Sequence, residues 1–214
     1  MLRRVIYAAL ERRLNSAYRD RLSARGTTPN GVFWRNQSTQ IARFDALLAI
    51  VTKLSPVKNP SIADIGCGYG AMLDFIEKTP RYQGMRYQGI DINQAMIAAC
   101  KQQFPNQTKL FLVGKHPRSQ VDFCLYSGTF NLCHTADPDL WEDYIFTNLQ
   151  KAWQSSRYGF VLNLLCAPKT QIKNQIFYAD RRQFIARATS LFGPTHATST
   201  PHVNGDVTFV IAKP

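Results

Sequence analysis

The sequence contains no apolar run long enough to cross a membrane, no Cys-x-x-Cys pair, no internal repeat and no low-complexity segment. A membrane-spanning helix needs about 20 consecutive apolar residues, and zinc or redox cysteines usually occur in closely spaced pairs. The five cysteines are an odd number and lie mostly in apolar runs, which argues against a disulfide framework. We therefore expect reduced thiols, no metal site and a cytoplasmic location.

The first residues have the charge of a targeting segment but not its length. After two arginines, the apolar run from Val5 to Leu10 stops at Glu11 after six residues, whereas a secretory signal peptide has an apolar stretch of about 7–15. An Arg-rich organelle presequence is an alternative, against which Glu11 and Asp20 argue.

Acidic residues are scarce, because 14 Asp and Glu stand against 26 Lys and Arg, for a net charge of +12. Residues 1–60 carry +8 of this charge and residues 61–214 carry +4. The basic face therefore belongs to the N-terminal part. Two interpretations stay open: an anionic partner such as nucleic acid, a membrane surface or an anionic substrate, or a solvated helix face.

Hydrophobic periodicity predicts a helical N-terminal extension over residues 1–55, followed by one domain over residues 56–214. Apolar residues recur at helical spacing in the first helix, which we expect to pack over the core or a partner: Val5, Ile6, Leu10, Leu14 and Tyr18. Beyond residue 60, strand and helix patterns alternate, with a strand at 109–113, a helix at 178–191 and a terminal hairpin. This order predicts an α/β, doubly wound sheet with one antiparallel strand near its edge.

One stretch combines a short strand with a glycine-rich turn. Residues 61–65 are apolar except for Asp64, and Gly66, Gly68 and Gly70 follow at alternate positions before a helical pattern. Glycine is needed where the backbone takes positive φ or approaches a ligand, and a helix start offers free N–H groups to an anion. The third glycine comes one residue earlier than in Gly-x-Gly-x-x-Gly dinucleotide sites.

A second motif supplies an acidic residue at the end of the next strand. Asp91 lies 21 residues after Gly70, near the end of the strand pattern over residues 85–92. A carboxylate at about this offset accepts hydrogen bonds from ribose hydroxyls. Glycine turn, helix and strand-ending acid in this order predict a nucleoside-containing ligand.

These two motifs resemble those of class I S-adenosylmethionine (SAM) dependent methyltransferases. The chain as a whole is similar to a bacterial group of such enzymes, often without an assigned substrate. Further segments carry that likeness: 31–34, Gln40, 43–44, 127–131, 141–145 and 177–180. The resemblance implies a Rossmann-like, seven-stranded sheet and SAM as the cofactor.

The resemblance also implies a role for each candidate residue. Asp64, Gly66, Gly68 and Gly70 would hold the methionine part of SAM, and Asp91 the ribose. Ile92 would flank the adenine. Ser127 would begin a loop beside the methyl donor, and Arg43 would pair with the SAM carboxylate.

Simpler interpretations stay open beside these roles. Asp91 is also placed to cap the helix that starts near Asn93, although Asn93 itself is better placed for that. Asp64 is also suited to fixing the glycine turn. Arg43 is also consistent with a basic surface position, and Trp34 with either a core anchor or a wall of the substrate site.

The chain departs from the group after its third strand, where many relatives carry an acid that binds the adenine amino group. Lys115 lies there, and lysine cannot accept that hydrogen bond. No catalytic residue is evident. His134, Asn131 and Tyr178 are weak candidates near the loops at which the acceptor is expected.

The sequence thus predicts a SAM-dependent methyltransferase that acts on a small-molecule or saccharide-type acceptor. A nucleic-acid (RNA) methyltransferase is the alternative favoured by the basic N-terminus. Base-amino methyltransferases resemble one another in an Asn/Asp-Pro-Pro-aromatic motif after the fourth strand, and cytosine C5 enzymes in a Pro-Cys nucleophile there. Neither motif is present in this sequence, which argues against a nucleic-acid acceptor. A SAM-binding subunit without catalysis is a third possibility, since the motifs report binding only.

Overall fold

The structure is a computed structural model that describes residues 2–213, with Leu2 described by its backbone only. Six α-helices lie in this part of the chain: α1 Leu2–Arg25, α2 Gln37–Leu54, α3 Ala71–Lys78, α4 Gln94–Gln103, α5 Pro138–Ser155 and α6 Arg181–Phe192. The first five strands are β1 Ser61–Ile65, β2 Arg86–Asp91, β3 Phe111–Val113, β4 Val121–Tyr126 and β5 Ser156–Ala167. The others are β6 Gln171–Lys173, β7 Ile176–Asp180, β8 Thr195–Ser199 and β9 Asp206–Ala212.

The central sheet has the order β3-β2-β1-β4-β5-β9-β8, and the first five of these strands are parallel. The β9 strand is antiparallel to both of its neighbours. The predicted doubly wound α/β sheet with one antiparallel strand near its edge is therefore confirmed. None of the helices within residues 2–213 is long and apolar enough to span a bilayer.

The β6–β7 hairpin was not predicted. It extends from the end of β5, where Cys166 and Ala167 pair in parallel with β7. The helix predicted over 178–191 therefore begins only at Arg181, because Asp180 caps its first turn by accepting from the Arg182 and Gln183 N–H groups. The strand predicted over 109–113 begins at Phe111, after a 3₁₀ turn.

Helices cover both faces of the sheet, because alternate strand residues point to opposite sides. In β1, Ala63 contributes to a buried cluster with α5 and α6, and Ile62 to a second cluster with α2, α3 and α4. The first cluster also includes Leu10 and Leu14 of α1. The predicted packing of α1 is thus confirmed, except that Val5 is 61% exposed.

Candidate active site

A cavity lies at the carboxyl ends of β1, β2 and β4, where open α/β sheets bind their ligands. Its floor consists of residues at these strand ends and in the loops that follow: Asp64, Ile65, Gly66, Cys67, Gly68, Asp91, Ile92, Asn93, Ser127 and Thr129. Its roof comes from α1, α2 and the segment between them: Leu14, Asn15, Tyr18, Val32, Trp34, Gln40 and Phe44. Most of the floor was predicted from the sequence, whereas most of the roof was not.

The turn after β1 is shaped by two glycines with positive φ. Gly66 has φ +79°, and a Cβ there would lie 2.5 Å from Cγ2 of Thr129. Gly68 has φ +56°, and its N–H donates to Oδ2 of Asp91 at 3.0 Å. A side chain at either position would be strained, so the backbone itself forms this part of the floor.

Gly70, the third glycine of the motif, lies at the start of α3. It is the N-cap of α3, with φ +85°, and does not line the cavity. A Cβ there would lie 3.0 Å from Phe104 and 3.3 Å from Cys100. Glycine is thus required because the helix start packs closely against the core.

Asp91 connects the glycine turn to the start of α4. Oδ2 accepts from the Gly68 N–H, and Oδ1 accepts from the Asn93 N–H at 2.8 Å. Each carboxylate oxygen can accept a further hydrogen bond. Burial raises the pKa of Asp91 to about 6, although both backbone bonds act in the opposite direction. The cap of α4 is Asn93, whose Oδ1 accepts from the Ala95 and Met96 N–H groups.

Asp64 lies beneath the turn. It is buried, and its Oδ2 accepts from the Tyr87 hydroxyl at 2.8 Å. Burial raises its pKa to about 7, against the lowering effect of that hydrogen bond. Asp64 therefore fixes the base of the turn through Tyr87, and it also borders the cavity.

The loop after β4 adds two hydroxyl groups. Thr129 donates to the Ile65 carbonyl at 2.7 Å, which holds the loop against β1. The Ser127 Oγ is buried at the cavity wall and has no hydrogen-bond partner among residues 2–213. A buried hydroxyl without a partner is unfavourable, so this atom is suited to meeting a bound ligand.

Helix α1 is fastened above the cavity by polar contacts. Asn93 Nδ2 donates to the Asn15 carbonyl at 3.0 Å. Glu11 pairs with Lys115 Nζ at 2.6 Å and accepts from the Tyr144 hydroxyl at 3.1 Å. Lys115, which stands where many relatives carry an acid, thus lies in the cavity wall together with Ile92 and is paired with Glu11 of α1. The apolar stripe of α1 predicted packing, but no signal in the sequence placed it over this cavity.

Arg43, predicted to pair with the SAM carboxylate, lies behind the cavity wall. It is buried on α2 and does not line the cavity. Its Nη2 lies 2.5 Å from Oδ2 of Asp206, and its guanidinium stacks on Trp34. Asp206, 163 positions away in the chain, already pairs with this cation.

The three weak catalytic candidates also lie outside the cavity. Oδ1 of Asn131 accepts from the Leu165 N–H at 3.2 Å, so this side chain holds a loop to β5. Tyr178 lies in β7, paired with Gln171. His134 lines a separate surface groove beneath α1, and burial lowers its pKa. Closeness in sequence to the loop after β4 does not place these side chains at the cavity, because that loop turns away from it after Phe130.

Comparison with known proteins gives consistent results. A family model described as a methyltransferase domain matches residues 63–142. The putative methyltransferase Rv1506c of Mycobacterium tuberculosis is 30% identical over 125 residues, which cover 56% of this chain and 73% of that protein.

Solved structures share the fold at low sequence identity. A SAM-dependent methyltransferase of Leishmania major has a TM-score of 0.63 and 13% identity, covering 92% of this chain and 82% of that one. The magnesium protoporphyrin IX methyltransferase of Synechocystis PCC 6803, with bound S-adenosylhomocysteine (SAH), has a TM-score of 0.59 and 13% identity, covering 83% and 84%. At this identity the likeness concerns the fold.

Proposed function

Because this chain belongs to the class I SAM-dependent methyltransferases, we propose that it transfers the methyl group of SAM to a small-molecule or saccharide-type acceptor. The observation that carries this choice is the roof of the cavity. Leu14, Asn15 and Tyr18 of α1 lie across the carboxyl ends of the strands. A covered cavity with aromatic and polar walls suits a compact acceptor.

The floor of the cavity has the chemistry that SAM requires. The free acceptor positions on Asp91 suit the ribose hydroxyls, and Gly66 and Gly68 allow close approach of the methionine part. The unpartnered Ser127 Oγ supports a polar contact beside the methyl donor. Ile92 offers an apolar contact for the adenine. We propose these residues, with Asp64 as support beneath them, as the cofactor site.

When bound, SAM supplies an electrophilic methyl group together with its own leaving group. The task of the protein is then to place the acceptor in line with that group and to exclude water. Aromatic residues of the walls suit both tasks, notably Trp34, Tyr69 and Phe130. No histidine lines the cavity among the described residues, so we assign no general base.

Tritiated SAM incubated with the protein and a cell extract tests the proposal. After fractionation into lipid, saccharide, other small molecules, RNA and protein, we expect label in the saccharide or small-molecule fraction. Label in RNA would instead support the nucleic-acid alternative. SAH binding by calorimetry with no label in any fraction would support a SAM-binding subunit without catalysis.

The exposed arginines of α1 give the RNA alternative its support. Arg3, Arg4, Arg12 and Arg13 are exposed on the helix that covers the cavity. Arg3 also pairs with Asp143, and Arg13 also donates to the His134 carbonyl. If these arginines bind a polyanion, changing all four to Gln should weaken retention on RNA and flatten its salt dependence, since each neutralised phosphate contributes to that slope. SAH affinity should stay constant, because none of the four lines the cavity.

A matched control removes the same charge elsewhere. Four basic residues exposed outside α1 serve this purpose when changed to Gln: Lys101, Lys109, Arg118 and Lys173. Equal loss of RNA retention in both variants would show that only net charge matters. That result would remove the specific support for the RNA alternative.

A further inference from the structure

A buried ion pair lies behind one wall of the cavity. Arg43 of α2 is 6% exposed and Asp206 at the start of β9 is 1% exposed, with Nη2 and Oδ2 2.5 Å apart. The other carboxylate oxygen of Asp206 accepts from the Thr200 hydroxyl at 2.5 Å. The carboxylate that pairs with the guanidinium is thus itself held by a hydroxyl group.

Burying such a pair is a weak source of stability, because removing two charges from water costs about as much as their attraction returns. Apolar side chains of similar size would fill the same space. In the described part of the chain, Nε of Arg43 has no hydrogen-bond partner, and the close contact at Oδ2 of Asp206 lacks hydrogen-bond geometry. A role in fixing geometry explains this arrangement better than a role in stability.

The group whose geometry is fixed is the Trp34 indole. The centre of the Arg43 guanidinium lies 4.5 Å from the centroid of the Trp34 ring. Trp34 is in the short segment before α2 and lines the cavity, whereas Arg43 does not. An aromatic ring in a short connecting segment would otherwise be free to change rotamer, and stacking on a guanidinium restricts it.

The edge of the same indole lies against the loop after β4. A Cβ on Gly128 would be 2.9 Å from Cζ2 of Trp34 and 3.1 Å from Nη1 of Arg43. Gly128 follows Ser127, whose buried Oγ has no partner. The Arg43 guanidinium, the Trp34 indole and the loop after β4 are thus in mutual contact at the cavity wall beside Ser127.

We propose that Arg43 is a positioning residue that acts through Trp34: the Arg43–Asp206 pair holds the indole as the cavity wall beside Ser127. This inference rests on the proposed function, since it assumes that the cavity binds SAM and SAH. It also replaces the direct cofactor contact predicted for Arg43. The two roles for Arg43 make opposite predictions in a double-mutant cycle.

The cycle uses Arg43→Lys, Trp34→Leu and the double variant, with SAH affinity measured by calorimetry. Lysine keeps the charge next to Asp206 but loses the planar stack. We expect each single change to weaken SAH binding by about three- to tenfold. The double variant should be no weaker than the worse single variant, because Arg43 acts only through the indole.

If the losses of SAH affinity in the two single variants multiply in the double variant, the two residues act independently and the proposal is overturned. Unchanged SAH affinity in Arg43→Lys would also overturn it. A much larger loss in Arg43→Lys than in Trp34→Leu would also overturn it and restore direct cofactor contact. If the wild-type protein binds no SAH, the proposed function fails and this inference fails with it. Binding by the wild type with no coupling overturns the role of Arg43 alone.

Tryptophan fluorescence gives a readout that a merely structural role would not move. We expect SAH to change the emission of the wild type, and this change to be reduced in both Trp34→Leu and Arg43→Lys, with the part that remains in Trp34→Leu coming from Trp141, which also lines the cavity. If Arg43→Lys does not fold, Asp206→Asn weakens the anchor while keeping the arginine and should reduce the same signal. A full SAH-induced change in a folded variant of either residue would contradict the proposal.

The chain offers a matched control in Arg81. Its guanidinium also stacks on an aromatic ring, 4.7 Å from the centroid of Tyr82, and also pairs with an aspartate, Asp45. It lies outside the cavity. Arg81→Lys should therefore leave the SAH affinity and the SAH-induced emission change as in the wild type, and a loss equal to that of Arg43→Lys would overturn the proposal.

Discussion

The floor and the roof of the cavity are built from different kinds of contact. The floor uses backbone N–H groups and carboxylates at strand ends, as in the bond from Gly68 to Asp91. The roof uses side chains from α1 and α2, such as Leu14, Tyr18 and Trp34. Sheet pairing fixes the floor, whereas packing and a small number of polar contacts hold the roof.

This difference separates two functions that one cavity must combine. A floor held by the ladder between β1 and β2 keeps its ligand-binding atoms in place before a ligand arrives, which lowers the entropic cost of binding. A roof attached through side chains can adjust at a smaller cost. We therefore expect changes in the floor to affect cofactor affinity most and changes in the roof to affect it less.

Asp91→Ala tests the floor and should have the largest effect. The change removes the acceptor for the ribose hydroxyls, and hydrogen bonds to a charged group are worth about 1.5–3 kcal/mol each. We expect SAH affinity, measured by calorimetry, to fall by at least about tenfold. The folded state should persist, as judged by thermal unfolding.

Asp122→Ala is the matched control for that experiment. Asp122 is also buried on a strand of the sheet, but it is bonded to Ser61 at the opposite end of β1. Its loss should lower the melting temperature and leave SAH affinity unchanged. Wild-type affinity in Asp91→Ala would mean that Asp91 serves only to connect Gly68 and Asn93.

The pH dependence of SAH binding tests the role of Asp91 in the floor of the cavity. Burial raises the pKa of Asp91 to about 6, and only the ionised carboxylate offers both oxygens as free acceptors. SAH affinity should thus fall by about tenfold between pH 8 and pH 5. The profile of Asp91→Asn should lack this step, and any step remaining near pH 7 would belong to Asp64.

The sign of the stability effect distinguishes this loss of binding from acid unfolding. The folded-state pKa of Asp91 lies above the unfolded value of about 3.9. The folded state therefore takes up the proton first, so the contribution of Asp91 to the free energy of unfolding rises as pH falls through 6. Weaker binding at pH 5 in a protein that still melts cooperatively is the expected result.

The residues of the floor come together as expected because their motifs are local. Gly66, Gly68 and Asp91 belong to two neighbouring strand–loop units, and parallel pairing brings those strand ends together. The roof depends on contacts across long sequence separations, such as that from Asn93 to Asn15. A periodic apolar stripe predicts that a helix packs, but not what it covers.

The differences between expectation and structure have the same origin. The resemblance paired Arg43 with the cofactor, and nothing in the sequence links Arg43 to Asp206. The β6–β7 hairpin was missed because its strands are short. Gly70 was grouped with the binding glycines by spacing, although it packs against Phe104. Each difference concerns a contact that only the folded chain defines. The domain boundary near residue 55 stays a prediction.

Leu14→Ala tests the roof and should have the smallest effect on binding. Leu14 is 7% exposed, packs in the main core cluster and also lines the cavity. Truncation of a buried leucine lowers the free energy of unfolding by about 2–5 kcal/mol. SAH affinity should fall by only about threefold, which corresponds to α1 staying docked, through its polar contacts, in about one third of the molecules.

Val5→Ala is the control, since Val5 lies on the same helix and is 61% exposed; it should change neither stability nor affinity. Wild-type stability in Leu14→Ala would show that α1 is not packed on the core. A destabilised variant with unchanged SAH affinity would show that α1 packs but takes no part in the site. A loss of affinity as large as that of Asp91→Ala would remove the distinction between floor and roof, because the helix would then determine cofactor binding as strongly as the strand ends do.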